Sequence, residues 1–153
     1  MILSRRFVML SSFSSVDWIS TWLKANQMVV QPTPNMAMEN MNRPLILVTG
    51  VTGYIGGRLV PRLLEMGYRV RCMVRDPVRL QGRPWQRSVE VVAGDMLQPD
   101  SLAPAMQGVS AAYYLVHSLA GGSDFHQRDL TAARHFSAAA RAAGIERIIF
   151  LGG

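Results

Sequence analysis

Three glycines spaced three residues apart, Gly50, Gly53 and Gly56, are the residues of this sequence whose spacing best fits a chemical task. A glycine has no Cβ atom, so a turn built on Gly50 and Gly53 can be tight and can let a phosphate approach its backbone. A helix that begins directly after the turn adds unpaired N–H groups and a partial positive charge, and both favour a phosphate. A glycine turn without a ligand is the alternative, since the spacing alone is weak evidence.

The segments on either side of the turn predict the elements that would hold it in place. Residues 45–49 are an apolar and β-branched run, typical of a strand that is buried on both faces. Apolar residues then recur with a helical period as far as Gly67, where a helix would end. Gly56 would let this helix lie close to the strand. Residues 68–74 alternate as a second strand does, so the stretch predicts a βαβ unit that binds a nucleotide.

The stretch Thr49-Gly50-Val51-Thr52-Gly53-Tyr54-Ile55-Gly56 resembles the Thr-Gly-x-x-Gly-x-x-Gly turn of the short-chain dehydrogenase/reductase superfamily. Its Gly-Tyr-Ile-Gly ending is similar to the extended and atypical branches, which include NmrA-like and NAD(P)-dependent epimerase/dehydratase-like proteins. The resemblance covers residues 44–153. It implies an α/β fold with a doubly wound parallel sheet (Rossmann), strand order 3-2-1-4-5, that binds NAD(P)(H). The contacts of the turn with the cofactor are carried over to Gly50, Thr52, Gly53, Tyr54, Ile55 and Gly56.

Arg75 is the first residue after the predicted second strand, where a fold of this kind places the adenosine ribose. An acid there favours NAD, whereas an arginine favours the 2′-phosphate of NADP, which a guanidinium can bind through two hydrogen bonds. Arg75 also matches the NADP-type position of the superfamily, and Asp76 is expected to point elsewhere. NADP is therefore the predicted cofactor, with NAD as the other possibility. Arg71 and Arg79 could assist, although nothing in the sequence selects them, and an ordinary surface arginine is the alternative for Arg75.

The resemblance implies further cofactor contacts after the third and fourth predicted strands. Asp95 and Met96 match the pair that flanks the adenine in the superfamily. The alternative is that Asp95 shapes a turn, which is compatible with a cofactor contact. Val116 and His117 stand where the fourth strand passes beneath the nicotinamide ribose. The superfamily's usual Asn-Asn-Ala-Gly pattern is missing from this strand. The sequence therefore assigns His117 no role in proton transfer, and a single histidine at a strand end is more often structural.

The rest of the chain provides the other elements of such a fold. Residues 89–93, 110–116 and 147–151 are predicted to be the third, fourth and fifth strands. A short helix is expected to begin near Asp100 or Ser101. A long helix over residues 125–143 is predicted by a stripe of apolar residues. Its members are Phe125, Leu130, Ala133, Phe136, Ala140 and Ala143.

A Tyr with a Lys four residues later, which the superfamily usually uses for hydride transfer, does not occur in this chain, whose only lysine is Lys24. In the superfamily this pair lies beyond the fifth strand. We expect either a fragment of a longer protein, with the fold truncated after the fifth strand, or an atypical member that does not reduce a substrate. The catalytic residues are unknown.

Two functions follow from these expectations. The first is NAD(P)(H) binding, with NADP favoured, as the cofactor-binding half of an atypical short-chain oxidoreductase or epimerase-like enzyme. Such an enzyme would also bind a small-molecule substrate. The second is a non-catalytic NmrA-like module that uses the dinucleotide as a redox sensor or assembly factor.

Composition narrows the class of protein further. The 153 residues are 49% hydrophobic, which suits one globular core, and they carry a formal net charge of +6. The arginines are scattered among acids, so a solvated surface and an anionic cofactor explain this charge better than nucleic acid does. The single cysteine, Cys72, excludes an intrachain disulfide and, with three histidines, a Cys-rich zinc site, so no metal is expected.

Residues 1–42 differ from the rest and are predicted to be a disordered N-terminal extension of an incomplete NAD(P)-binding domain at residues 43–153. Arg5 and Arg6 precede an apolar and serine-rich run that has the outline of a signal peptide. The run is short, and no uncharged stretch approaches the roughly 20 apolar residues that span a bilayer. Export or membrane contact by residues 1–30 is the alternative, and a cytoplasmic location is the expectation.

Overall fold

A parallel sheet is the framework of the protein, for which a computed structural model describes residues 7–10, 43–116 and 123–151, with the backbone alone at 7–10 and 123–126. Its strands are β1 (Phe7–Leu10), β2 (Leu45–Thr49), β3 (Arg69–Val74), β4 (Glu90–Ala93), β5 (Val109–Tyr114) and β6 (Arg147–Leu151). They lie in the order β1-β6-β5-β2-β3-β4, and each neighbouring pair is parallel. Strands β2 to β6 are the five predicted strands, so the order 3-2-1-4-5 is confirmed.

Three α-helices lie in the described part of the chain. They are α1 (Tyr54–Glu65), α2 (Leu102–Met106) and α3 (Ser123–Ala142), and short 3₁₀ turns occupy Pro77–Leu80, Gln86–Ser88 and Pro99–Ser101. Helix α1 ends as predicted, because Gly67 has a φ of 79° and its N–H donates to the Leu64 carbonyl at 2.9 Å. Helix α1 thus joins β2 to β3 in the predicted βαβ unit.

Strand β2 is buried along its whole length and separates two apolar layers. Ile46 and Val48 belong to the layer that contains Leu63 of α1, whereas Leu45 and Leu47 belong to the layer that contains Phe136 of α3. Alternate side chains of a strand point to opposite faces of a sheet, so helices must cover both faces here. This is the doubly wound arrangement predicted from the sequence.

The apolar stripe of α3 differs from the prediction at its start. Ala132, Phe136 and Ala140 are buried and recur every four residues, whereas Leu130 is 39% exposed. Two residues along a helix correspond to about 200°, so Leu130 and Ala132 face opposite ways, and Ala132 is the residue that faces the sheet. Residue type alone favoured the larger Leu130. The side chain of Phe125 lies outside the described residues, and Ala143 follows the end of the helix.

The N-terminal extension contributes β1 to the edge of the sheet. Residues 7–10 pair in register with residues 148–151 of β6 and so occupy backbone groups that an edge strand would leave unpaired. These four residues therefore differ from the disordered extension that was expected. The other predictions for residues 1–42 lie outside the described residues. In the part of the chain that the structure describes, no helix is long and apolar enough to cross a membrane.

Candidate functional site

Gly50 begins the glycine turn where the ends of β2 and β5 meet. Its φ is 67°, and a Cβ atom at this position would lie 2.5 Å from the Leu115 carbonyl oxygen. The buried Thr49 joins the same strands, because its Oγ1 donates to the Tyr113 carbonyl at 3.0 Å and accepts from the Leu115 N–H at 3.2 Å. Gly50 is therefore required both by its backbone conformation and by the close approach of β5.

Gly53 and Gly56 differ in what surrounds them. A Cβ atom on the buried Gly56 would collide with the Gly50 carbonyl oxygen and lie 2.7 Å from the Val51 Cα, so this glycine lets α1 pack on the turn. Gly53 is exposed and extended, with φ −78° and ψ 173°. The Gly50 carbonyl oxygen, at 3.2 Å, is the only described atom that its Cβ would meet within 4 Å. The space beside Gly53 is therefore open to a ligand.

Helix α1 begins beside this open space with its partial charge uncompensated by the protein. Gly53 is the N-cap residue, and in this fully described helix no side chain caps the N-terminus and no acid lies in the first turn. The Gly57 N–H already donates to the Gly53 carbonyl at 3.0 Å. The Gly53 N–H donates to the Gly50 carbonyl at 3.0 Å. The N–H groups of residues 54–56 have no earlier helical turn to bind, so they suit an anion.

A cavity of about 490 Å³ lies in front of the turn, between the carboxyl ends of β2 to β5 and helix α3. Seven of the residues predicted as cofactor contacts line it: Gly50, Thr52, Gly53, Arg75, Asp95, Met96 and Val116. Tyr54, Ile55 and Gly56 do not line the cavity, and the ring of Tyr54 instead lies 4.4 Å from the Arg58 guanidinium. His117 lies outside the described residues.

Two arginines line the cavity after β3. Arg75 directly follows the strand, and Arg79 belongs to the 3₁₀ turn Pro77–Leu80. Both are exposed, and neither forms an ion pair with any described residue. Asp76 points elsewhere, as predicted: its Oδ1 accepts from the Val78 N–H at 3.0 Å and caps the turn.

The structure thus separates the two arginines that the sequence could not rank. Arg79 lines the cavity, whereas Arg71 does not. The Arg71 Nε donates to Glu90 Oε2 at 2.8 Å, and its Nη1 donates to the Gln107 carbonyl at 2.7 Å. The donors of Arg71 are therefore used by other groups of the protein, whereas those of Arg79 are available to a ligand.

Asp95 forms the turn that was the alternative to a binding role, and it also lines the cavity. Its Oδ1 accepts from the Leu97 N–H at 2.9 Å, and its own N–H donates to Ser101 Oγ at 2.9 Å. The neighbouring Met96 is buried, and its carbonyl accepts from His135 Nδ1 of α3 at 2.9 Å. These bonds fix residues 95–97 against α3.

Helix α3 contributes a wall of the cavity that the sequence analysis did not find. Arg128, Asp129 and Ala132 line it, and Met73, Val74 and Leu97 add apolar surface. Arg128 and Ala132 are four residues apart and so share one face of the helix. No local motif marks them, because the approach of α3 to residues 95–97 depends on contacts between distant parts of the chain.

Two buried side chains of the sheet that could act as nucleophiles, Tyr114 and Cys72, have raised pKa values. Burial, followed by the charge of Asp129, raises the pKa of Tyr114 to about 12, and burial raises the pKa of Cys72 to about 12. Both groups stay protonated at neutral pH. Within residues 43–116 and 123–151, no cluster of His, Cys, Asp and Glu could hold a metal ion.

A family model described as NAD(P)H-binding matches residues 50–153. Photosystem II assembly factor Ycf39 of Cyanophora paradoxa is 35% identical over 106 residues, which are 69% of this chain and 33% of that protein. A putative dihydroflavonol 4-reductase of Synechocystis sp. is 36% identical over 110 residues, which are 67% of this chain and 31% of that protein. The chain spans about a third of the length of these relatives.

Solved structures give the same result. A short-chain dehydrogenase/reductase superfamily protein from Agrobacterium tumefaciens with bound NAD is 30% identical with a TM-score of 0.57, over 69% of this chain and 31% of that one. The NADPH-dependent quinone oxidoreductase of Escherichia coli, complexed with NADPH, is 29% identical with a TM-score of 0.57, over 69% of this chain and 35% of that one. The structural neighbours therefore include proteins with either nucleotide.

Proposed function

Because this chain belongs to the NAD(P)H-binding domain family, we propose that its cavity binds NADP(H) in preference to NAD(H). The observation that carries the proposal is the pair Arg75 and Arg79, which line the cavity after β3 without an ion pair to any described residue. An arginine at the end of the second strand of such a unit favours the ribose 2′-phosphate of NADP. Asp76, the nearest acid, is used as a cap and leaves this position to the cations.

The remaining predicted residues complete this proposal from the turn outward. The backbone from Gly50 to Gly56, with Thr52, Tyr54 and Ile55 between the glycines, would hold the pyrophosphate. Asp95 and Met96 would flank the adenine, and Val116 and His117 would lie under the nicotinamide ribose. The open space at Gly53 supports the first assignment, since a bound phosphate needs close access to the backbone there.

We propose that the domain is the cofactor-binding half of an atypical oxidoreductase or epimerase-like enzyme. A bound nicotinamide would supply the hydride, and the described residues would bind and orient the dinucleotide. Residues 43–153 would form this domain, with 1–42 as an N-terminal extension and a cytoplasmic location. The similarity to a putative dihydroflavonol 4-reductase supports an enzyme.

A non-catalytic role is the second candidate, and the 35% identity to a photosystem II assembly factor favours it. In this role the dinucleotide would act as a redox signal or as a structural ligand. Turnover separates the two candidates once binding is established. NADPH oxidation by the intact gene product with any of a panel of small carbonyl compounds supports the enzyme, and tight binding without turnover supports the assembly factor.

Calorimetric titration of the chain with NADPH and with NADH tests the proposed preference. We expect tighter binding of NADPH, and Arg75→Ala should weaken NADPH by about 10- to 100-fold because a charge-assisted hydrogen bond to the phosphate is lost. NADH should change little. Arg87→Ala is the matched control, since Arg87 is also an exposed arginine but does not line the cavity. Equal losses for NADPH and NADH would show that Arg75 does not bind the 2′-phosphate.

A further inference from the structure

Arg128 lines the wall of the cavity that α3 forms, and the proposed function leaves it without a role. It projects from α3, lines the cavity and is exposed. It forms no hydrogen bond or ion pair with any described residue. A cation on the wall of a cavity that has no partner among the described residues is available to a ligand.

The topology fixes which part of a dinucleotide would come near Arg128. The pyrophosphate belongs at the turn after β2, and the adenosine ribose belongs at the end of β3. Strand β4 is the next strand in the sheet, so the base continues toward the segment that follows β4. This segment, residues 95–97, is the part of the cavity that α3 covers, through the His135–Met96 hydrogen bond.

The surface beside Arg128 suits a flat, uncharged ring better than a phosphate. Met73, Met96, Leu97 and Ala132 line the same cavity, and the acids Asp95 and Asp129 that line it too would repel a phosphate. The helix that carries Arg128 is anchored, because Ala132 and Phe136 of the same helix lie in the core. A guanidinium is planar and weakly hydrated, and it stacks favourably on aromatic faces.

We propose that Arg128 stacks on the adenine ring and closes the base-binding end of the cavity, separately from the arginines that would read the 2′-phosphate. This inference rests on dinucleotide binding at the proposed site but not on the preference for NADP(H). Arg128 is thus assigned to affinity for the adenosine moiety, and Arg75 and Arg79 to the choice between the two cofactors.

ADP-ribose tests this assignment, because it contains the adenine and the pyrophosphate but neither a 2′-phosphate nor a nicotinamide. In calorimetric titration of the chain, Arg128→Ala should weaken ADP-ribose by about 3- to 30-fold, as expected for loss of a cation–π contact. NADPH and NADH should weaken by the same factor. Arg134→Ala is the matched control on the same helix, because Arg134 is exposed but does not line the cavity.

Two further variants separate stacking from a contact between Arg128 and a phosphate. Arg128→Tyr keeps a flat surface without charge and should retain most of the affinity for ADP-ribose. Arg128→Lys keeps the charge without the plane and should stay at least about threefold weaker than the native chain. The reverse order, or an unchanged affinity in Arg128→Ala, overturns the proposal.

The same titrations distinguish failure of this inference from failure of the proposed function. If Arg128→Ala behaves as predicted but Arg75→Ala weakens NADPH and NADH equally, the adenine contact stands and the NADP preference falls. If Arg75→Ala selectively weakens NADPH while Arg128→Ala matches the Arg134→Ala control, only the stacking role falls. A folded chain that binds no ADP-ribose overturns both.

Discussion

The two ends of strands β3 and β4 use the same residue type in opposite ways. At the carboxyl ends, Arg75 and Arg79 line a cavity of about 490 Å³ and form no ion pair with any described residue. At the amino ends, Arg69 Nη2 lies 2.7 Å from Glu90 Oε1, and Arg71 Nη2 lies 2.7 Å from Glu90 Oε2. One acid thus neutralises two cations at one end, and no described acid does so at the other.

A second cavity, of about 410 Å³, shows that this difference does not depend on having a cavity or arginines. It lies near the start of β3 and is lined by Arg43, Arg69 and Arg87. The Arg43 Nη1 donates to the Gly67 carbonyl at 2.7 Å, and Arg69 is paired with Glu90. A guanidinium that is bound to the protein must break those bonds to bind a ligand, and this applies to Arg43 and Arg69. Arg87 is exposed and forms no ion pair with any described residue, so it differs from the other two arginines of this cavity.

The largest expected effect is that of a substitution in the glycine turn. It should remove cofactor binding at the carboxyl ends of the strands and leave the amino ends unchanged. Gly53→Val should weaken NADPH by at least about 100-fold, since a branched side chain in the open space would displace a phosphate from the backbone. The fold should tolerate the change, because Gly53 is extended and its Cβ meets only the Gly50 carbonyl oxygen at 3.2 Å. Titration calorimetry measures the loss, and a thermal melt verifies folding.

Gly57→Val provides the matched control for this variant. Gly57 lies one helical turn later and outside the cavity lining, and its Cβ would meet the movable end of the Arg83 side chain at 3.1 Å. Its NADPH affinity should stay near that of the native chain. A Gly53→Val chain that melts normally and still binds NADPH with native affinity would remove the phosphate from this turn.

The glycine turn and the elements on either side of it could be predicted from the sequence, because the residues that specify them are close together in the chain. The three glycines, the buried strand before them and the helix after them lie within about 20 consecutive residues, and each has a conformational requirement that a sequence can display. The same holds for Arg75, which needs only the end of a strand to be located. The strand order is implied by the resemblance to the short-chain dehydrogenase/reductase superfamily, and it is compatible with the right-handed, short connections of βαβ units.

What the sequence could not predict depends on contacts between distant residues. Arg128 and Asp95 line one cavity because α3 packs over the segment after β4, and the His135–Met96 bond joins residues 39 apart. The roles of Arg71 and Arg79 diverge because Glu90, 19 residues after Arg71, reaches only one of them. Exposure of Leu130 and burial of Ala132 follow from the rotation of α3, which residue type does not reveal.

An intermediate effect, on stability, is expected when an arginine at the amino end of β3 is removed. Arg71→Ala should lower the free energy of unfolding by about 2 kcal/mol, because its loss leaves Glu90 with Arg69 as its one cation and removes the donor to the carbonyls of Ala105 and Gln107. Urea denaturation measures this change. The ratio of NADPH to NADH affinity should stay native, in contrast to Arg75→Ala.

Arg62→Ala is the control for the Arg71 variant. Arg62 Nη1 lies 2.8 Å from Glu65 Oε2 in a pair whose side chains are 60% and 61% exposed, so its removal should change the free energy of unfolding by no more than about 0.5 kcal/mol. Similar losses in the two variants would mean that the amino end of the sheet holds no special structural arginine. A shift of the cofactor ratio in Arg71→Ala would mean that the two ends are not independent.

The smallest expected effect is a pH dependence of the unfolding free energy, which arises from Glu90 at the amino ends of β3 and β4. Burial acts to raise the pKa of Glu90, but the hydrogen bonds and charges of Arg71 and Arg69 outweigh it and hold that pKa below its ordinary value of 4.5. A carboxylate whose pKa is lower in the folded state stabilises the fold above its unfolded pKa, and this contribution disappears as the pH falls through the folded pKa.

The difference in unfolding free energy between the native chain and Glu90→Gln should therefore be constant at pH 5–7 and shrink below about pH 4.5. Its size should be about 0.5 kcal/mol, since the Glu90 side chain is 39% exposed and solvent screens the pair. Urea denaturation of both chains across this range measures the difference, and a gap that widens on acidification would show that Arg69 and Arg71 do not stabilise the charged form of Glu90.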